Sequence, residues 1–190
     1  MTRWEKKELR LRDDHRWRAR PGNQVLVLDR GAVSLEVPRG WVVRPQGTAI
    51  AVTDREPPDD DMRLQVSVIH APPMIDWTGL PLVTLFVEVA RGLDAGAIGE
   101  RTPITAAITT DYEYAWDEVA YTDEQQRRPA RSRTCIARGR GVHAVITLDF
   151  WADDDATARR VWKGALRSLR LGESIADPTV GPERRRPGGS

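Results

Sequence analysis

A thiol and an imidazole are the residues of this 190-residue chain best suited to covalent chemistry. Cys135 is its only cysteine and sits in an alternating stretch beside Arg133 and Arg138, cations that lower a thiol's pKa. His143 lies in the following alternating stretch, and adjacent antiparallel strands bring such residues close enough for a nucleophile and its base. No glycine-rich nucleophile turn surrounds Cys135, and a lone cysteine in an alternating strand is ordinarily a small packing group. The residues therefore assign Cys135 to the core and leave the chain without a catalytic residue.

Other chemistries meet similar limits. Asp59-Asp60-Asp61 and Asp153-Asp154-Asp155 are acidic runs, yet neither has the alternating oxygen ligands and distal glutamate of a calcium loop. The first reads as a solvated turn. The second opens a helix, where carboxylates cap free N–H groups and meet the positive end of the helix dipole. The three histidines, at 15, 70 and 143, lack metal-ligand spacing, and one cysteine forms no disulfide within the chain. No phosphate-binding glycine loop occurs, and Arg138-Gly139-Arg140-Gly141 reads as a basic turn joining two strands. The expectation is no metal and no cofactor.

Charge excludes more. Twenty-nine Lys and Arg against 28 Asp and Glu give a formal net charge of +1, without the basic excess by which nucleic-acid binders gather phosphate. The first twenty residues hold eight basic and four acidic side chains and no apolar run of signal-peptide length. The longest apolar stretch, GLPLVTLFVEVA, is too short to span a bilayer and contains Glu88. The chain is expected to be cytoplasmic, without nucleic-acid or membrane partners. Within the middle of the chain, residues 111–124 carry six acids and no base, whereas 127–140 carry six arginines and no acid. Folded back about Gln125 and Gln126, an antiparallel ladder sets Glu118 opposite Arg133 and Glu113 opposite Arg138, fixing register. A longer loop or a bulge at Pro129 would shift it.

The elements that position these residues follow from periodicity. QVLVL, VSLEV, WVV, AIAVT and RLQVSVI, between residues 24 and 70, read as strands of an antiparallel meander separated by Gly and Pro turns. Pro81 starts a helix whose stripe is Leu82, Leu85, Phe86, Val89 and Leu93, widened by Val83 and Val87. Either the N-terminal arm, with Trp4 and Trp17, or a second subunit covers its extra apolar surface. Further strands follow over 104–110, 111–124, 130–139 and 142–151, the last apolar on both faces as an interior strand should be. A closing helix, roughly 154–171, buries Trp162, Leu166 and Leu169. Residues 1–23 form a charged arm, 24–172 the domain, and 173–190, rich in Pro, Gly and charge, a disordered tail.

Two of these stretches carry a resemblance. VSLEVPRGWVV, a strand, a Pro-x-Gly-Trp bend and a second strand, and VHAVITLDFW running into DDDATARRVWKGALRSLRL, are similar to the PsbP-like fold family over about residues 33–171. The resemblance implies an α+β fold, a three-layer α-β-α sandwich with a central antiparallel sheet, used mostly to bind other proteins. The function expected is therefore a non-catalytic interaction module, or alternatively a small-ligand protein or enzyme with a pocket between the sheet and the Leu80–Leu93 helix. Its expected partner is a protein, a second copy of the chain included, with Trp4, Trp17, Trp77 and Phe86 as anchors. If Cys135 only packs, Cys135→Ser lowers stability by about 1–3 kcal/mol through an unsatisfied hydroxyl. Urea denaturation checks this, and loss of a detected activity at unchanged stability would instead identify a nucleophile.

Overall fold

The computed structural model describes residues 9–69, 79–93 and 99–182. In chain order the strands are β1 (Asn23–Leu28), β2 (Val33–Pro38), β3 (Val42–Gln46), β4 (Ala49–Thr53) and β5 (Met62–Ile69). Helix α1 (Leu82–Leu93) separates them from β6 (Glu100–Arg101), β7 (Thr105–Ile108), β8 (Glu113–Asp123), β9 (Arg128–Gly139) and β10 (Val142–Trp151). Helix α2 (Asp155–Ser168) and β11 (Arg170–Leu171) follow. The described residues form an eight-stranded antiparallel sheet in the order β3-β4-β5-β10-β9-β8-β6, with β7 also paired to β8.

β10 lies between β5 and β9, and its alternate residues Ala144, Ile146, Leu148 and Phe150 are all buried on one face. On that face Trp162, Ala165 and Leu166 of α2 and the following Leu169 close over Leu64, Val66 and Cys135. A second sheet, β1-β2-β11, completes the layer and contributes Val33, Leu35 and Val37 to the same core. α1 packs on the opposite face through Leu82, Leu85, Phe86 and Ala90 against Ala115 and Ile136. The architecture is the three-layer α+β sandwich around an antiparallel sheet. The single meander expected for residues 24–70 is instead split: the bend at Pro38-Arg39-Gly40 carries the chain from the small sheet into the large one.

The hairpin β8–β9 holds the register that its charges require. Glu113 is opposite Arg138 and Glu118 opposite Arg133, and Pro129 stands in the ladder across from Thr122 without displacing it. Arg133 Nε donates to Glu118 Oε2 at 2.7 Å and its Nη2 to Asp155 Oδ1 at 3.0 Å, while Arg131 Nη1 donates to Glu118 Oε1 at 2.8 Å. The Arg133 guanidinium also stands 4.8 Å from the centre of the Phe150 ring. The β9–β10 connection is the two-residue turn Arg140-Gly141, both at positive φ, the type I′ geometry whose twist matches its strands and for which glycine is suited.

Three expectations about the ends change. The closing helix stops at Ser168, not near Leu171, because the Ser168 hydroxyl turns back to Gly164 O and accepts the Glu36 N–H, letting Arg170 and Leu171 pair with Ser34 and Val33. The acidic run before it does not cap: Asp153 meets Arg128, Asp155 meets Arg133 and Arg159, and no side-chain cap bond forms. Residues 173–182 are not a loose tail. Glu173 and Ile175 donate their N–H groups to Gly31 O and Arg30 O, Ile175 is buried, and a Cβ on Gly31 would stand 2.3 Å from Glu173 O. Residues 183–190 lie outside the described residues.

Arg133 and Glu118 are both buried, so removing one takes the shortest counter-charge from the other and leaves it only its second partner, Arg131 for Glu118 and Asp155 for Arg133. Arg133→Met is expected to lower unfolding free energy by about 1–3 kcal/mol, since Glu118 keeps Arg131, and adding Glu118→Met to recover part of it. Urea unfolding of both variants checks this; a single variant within about 0.5 kcal/mol of the parent contradicts it.

Candidate functional site

Register separates the two residues that looked catalytic. Cys135 is opposite Ile146, whereas His143 is opposite Arg138 and Ile69, so the thiol points into the core beneath α2 and the imidazole to the other face. Cys135 has no exposed surface and burial pushes its thiol well up. Burial, joined by the Arg138 charge and opposed by Glu113, pushes the His143 imidazole down, favouring its neutral form. The two therefore do not form a nucleophile and base.

The Asp59–Asp61 run is held by arginines. Both Asp60 oxygens take the Arg63 guanidinium, at 2.9–3.2 Å, and Asp61 pairs with Arg55 and Arg128. Among the described residues no three His, Cys, Asp or Glu side chains group as metal ligands would.

The anchors assigned from sequence fall into two groups. Trp4 and Trp77 lie outside the described residues. Trp17 is buried within its own chain, its Nε1 donating to Pro178 O at 2.7 Å, and Phe86, on the sheet-facing side of α1, is only 1% exposed. Neither ring is an exposed surface group in the free chain. The arm therefore folds back: Arg12 and Arg16 donate backbone N–H groups to Thr179 O and Val180 O.

What α1 leaves open is the better candidate. A cavity of about 400 Å³ opens between Phe86, Val87 and Ala90 of α1 and Ile104, Arg101 and Asp117 at the β6–β8 end of the sheet. Asp117 is 1% exposed; one carboxylate oxygen pairs with Arg101, and the other, Oδ1, has no hydrogen-bond donor among the described residues. Leu80, Val83, Ile104 and Ile108 are exposed aliphatic side chains of α1's start and β7's edge, Ile104 lining the cavity and Ile108 being 85% exposed. Arg138 fixes the start of α1 to this edge, donating to Leu80 O at 2.9 Å while its Nε holds Glu113.

Beyond α1 the same face is polar. Thr53, Arg63, Asp149 and Ser132 form one row across β4, β5, β10 and β9, and Gln65, Thr147, Thr134 and Asp117 the next. Ser132 Oγ donates to Asp149 Oδ1 at 2.6 Å. Burial raises the Asp149 pKa against the lowering effects of Ser132 and Arg63. In the sequence β10 reads as apolar on both faces, which does not mark this polar one, and nothing in the sequence of β8 marks Asp117 as an acid beneath a helix.

The model of the Alr1449 family matches residues 24–175, the span of both sheets and both helices. The chain belongs to the Alr1449 family. A relative in Nostoc sp. (strain PCC 7120), the uncharacterized protein alr1449, is 38% identical over 179 residues, covering 94% of this chain and 92% of that one. Among solved structures, the cyanobacterial PsbP (CyanoP) of Synechocystis sp. PCC 6803 superposes with a TM-score of 0.59 at 14% identity, over 81% of this chain and 95% of its own. LpqN of Mycobacterium tuberculosis follows at 0.51 and 13% identity, over 80% and 91%. Identities this low show the fold alone, and that fold is PsbP-like. No helix among the described residues is long and apolar enough to cross a membrane.

A carboxyl whose pKa rises on folding adds stability below its unfolded value, near 3.8 for Asp149, and loses that contribution as pH climbs through the folded pKa. Asp149→Asn, which keeps an acceptor for Ser132, is expected to melt above the parent at neutral pH. That gain should vanish toward about pH 3.5, where both side chains are uncharged. Melting curves of both proteins across this range check the sign.

Proposed function

We propose that this Alr1449-family chain is a non-catalytic protein-interaction module that takes an extended segment of a protein partner along the open edge of β7. One observation carries the reading: the two edges of the large sheet are not treated alike. β3, at one end, contains Pro45 with Arg44 and Gln46 beside it, devices that discourage strand addition. β7 is Thr-Ala-Ala-Ile, pairs among the described residues only with β8, and has no charge or proline within it. A strand added there meets main-chain groups for affinity and lays its side chains on Ile104, Ile108 and the groove under α1 for specificity. A donor from that segment would satisfy Asp117 Oδ1.

A second copy of the chain meets the same requirements, since two β7 edges related by a two-fold axis pair antiparallel. The homodimer is thus proposed through β7, with aliphatic rather than aromatic contacts. Asp117 also supports the alternative of a small ligand, because its bare oxygen and the apolar groove make a site of small-molecule size.

Ile108→Lys separates these readings. The side chain is exposed, so the variant should melt within about 2 °C of the parent. Light scattering is expected to show a dimer for the parent and a monomer for the variant. If the parent is monomeric, affinity capture from native cells should retain a protein that the variant fails to retain. The same mass and the same captured proteins for both would overturn the β7 edge.

A further inference from the structure

We propose that a second cavity, roofed by the N-terminal arm, binds a small polyanion bearing phosphate or carboxylate oxygens. It measures about 400 Å³ and lies on the outer face of the β1-β2-β11 sheet, remote from α1, so it is independent of the β7 reading. Five arginines line it: Arg16, Arg18 and Arg20 from the arm, Arg167 from the last turn of α2, and Arg170 from β11. Two carboxylates, Glu36 and Glu173, stand against them.

The balance between these charges is uneven. Glu36 is consumed within the fold, taking Arg20 Nε and Asn23 Nδ2 at 2.8 Å each, and Arg20 also donates to Gly164 O. Burial raises the Glu36 pKa, but these hydrogen bonds and the Arg20 charge outweigh it and hold the group ionised. The guanidinium of Arg170 donates to Leu169 O. Arg16, Arg18 and Arg167 are exposed, and their guanidinium groups have no acceptor among the described residues. Arg167 has a local reason for its charge, because cations are favoured at a helix C-terminus. Arg16 and Arg18 have none. They are brought to the cavity because Trp17, between them, is anchored to Pro178 O and itself borders the cavity, which holds the stretch carrying both arginines at its rim.

The arm is in turn anchored by hydrogen bonds to residues 178–180, so its arginines are held over the sheet by the folded chain. The surplus is therefore positioned before any ligand arrives. Guanidinium forks match phosphate and carboxylate oxygens two at a time, and the cavity volume suits a small molecule rather than a lone inorganic ion. Val25 and Trp17 supply an apolar wall for the remainder of such a ligand.

The probes are pyrophosphate and citrate, titrated separately into the full-length protein at constant ionic strength, with melting temperature and isothermal calorimetry as readouts. Millimolar concentrations of at least one are expected to raise melting by about 3 °C or more. Pyrophosphate alone binding identifies a phosphate ligand, citrate alone a carboxylate ligand, and both the shared oxyanion chemistry. Arg18→Gln with Arg167→Gln should weaken binding at least tenfold, whereas Arg39→Gln with Arg160→Gln, which removes equal charge outside the cavity, should not. Arg18→Gln alone gives the same test, at a smaller shift, if the double variant does not fold. No binding of either probe, or equal weakening by cavity and control variants, would overturn the site.

Discussion

The buried contact between Glu118, Arg133 and Asp155 joins three parts of the fold at one point. Glu118 comes from β8, Arg133 from β9 and Asp155 from the first turn of α2. A buried ion pair contributes little net stability compared with a well-packed apolar pair, but a misplaced partner is costly, and this asymmetry makes it a register device. Slipping β8 against β9 by one residue would turn Glu118 away from Arg133 and send the whole alternation of β8 to the wrong face. The same arginine lies over Phe150, so the contact that fixes the hairpin also reaches β10 and the foot of the closing helix.

From that register the two faces of the sheet follow. With Glu118 and Arg133 inward, Trp116 and Cys135 share their face, and Trp116 meets Trp162 of α2 edge to face at 5.6 Å. Asp117 and Thr134 then necessarily point the other way, toward α1. Helix α1 covers only the β8–β9 end of this face, through Ala115 and Ile136, and the polar rows of β10, β5 and β4 extend beyond it. The groove with Asp117 lies where the apolar cover of α1 gives way to polar sheet. It is a boundary set by strand parity and helix length together.

Those origins explain what was legible in the sequence. Strand and helix positions, the interior place of β10 and the Glu118–Arg133 and Glu113–Arg138 rungs depend on local alternation and charge, and residue types state these directly. Division of the first five strands between two sheets was not legible, because each strand alternates in the same way whichever sheet receives it. β6 and β11, two residues each, are too short for any period to appear. Trp17 and Phe86 looked like surface anchors because aromatic residues near exposed helices and arms suit interfaces, yet each is enclosed by sequence-distant chain: Trp17 by residues 178–181, Phe86 by Ala115 and Ile136. Asp117 was invisible for the converse reason, since one acid in an acidic stretch carries no mark of the helix above it.

The ends of the chain show how a composition typical of disorder can still be used structurally. Pro, Gly and charge are poor at building a core, but they do not prevent a segment from hydrogen-bonding along one that already exists. Residues 172–175 add backbone bonds to the turn at Arg30–Ala32, and 178–180 then offer carbonyls to the arm. Neither segment has enough apolar surface to fold alone, whereas Trp17 and Ile175 together give the pair buried contact. The arginine-rich arm is thereby held over the small sheet by the segment least expected to be ordered. Its charge acquires a fixed position from backbone pairing, which is why a near-neutral chain can carry a strongly basic cavity at one end and an aliphatic strand edge at another.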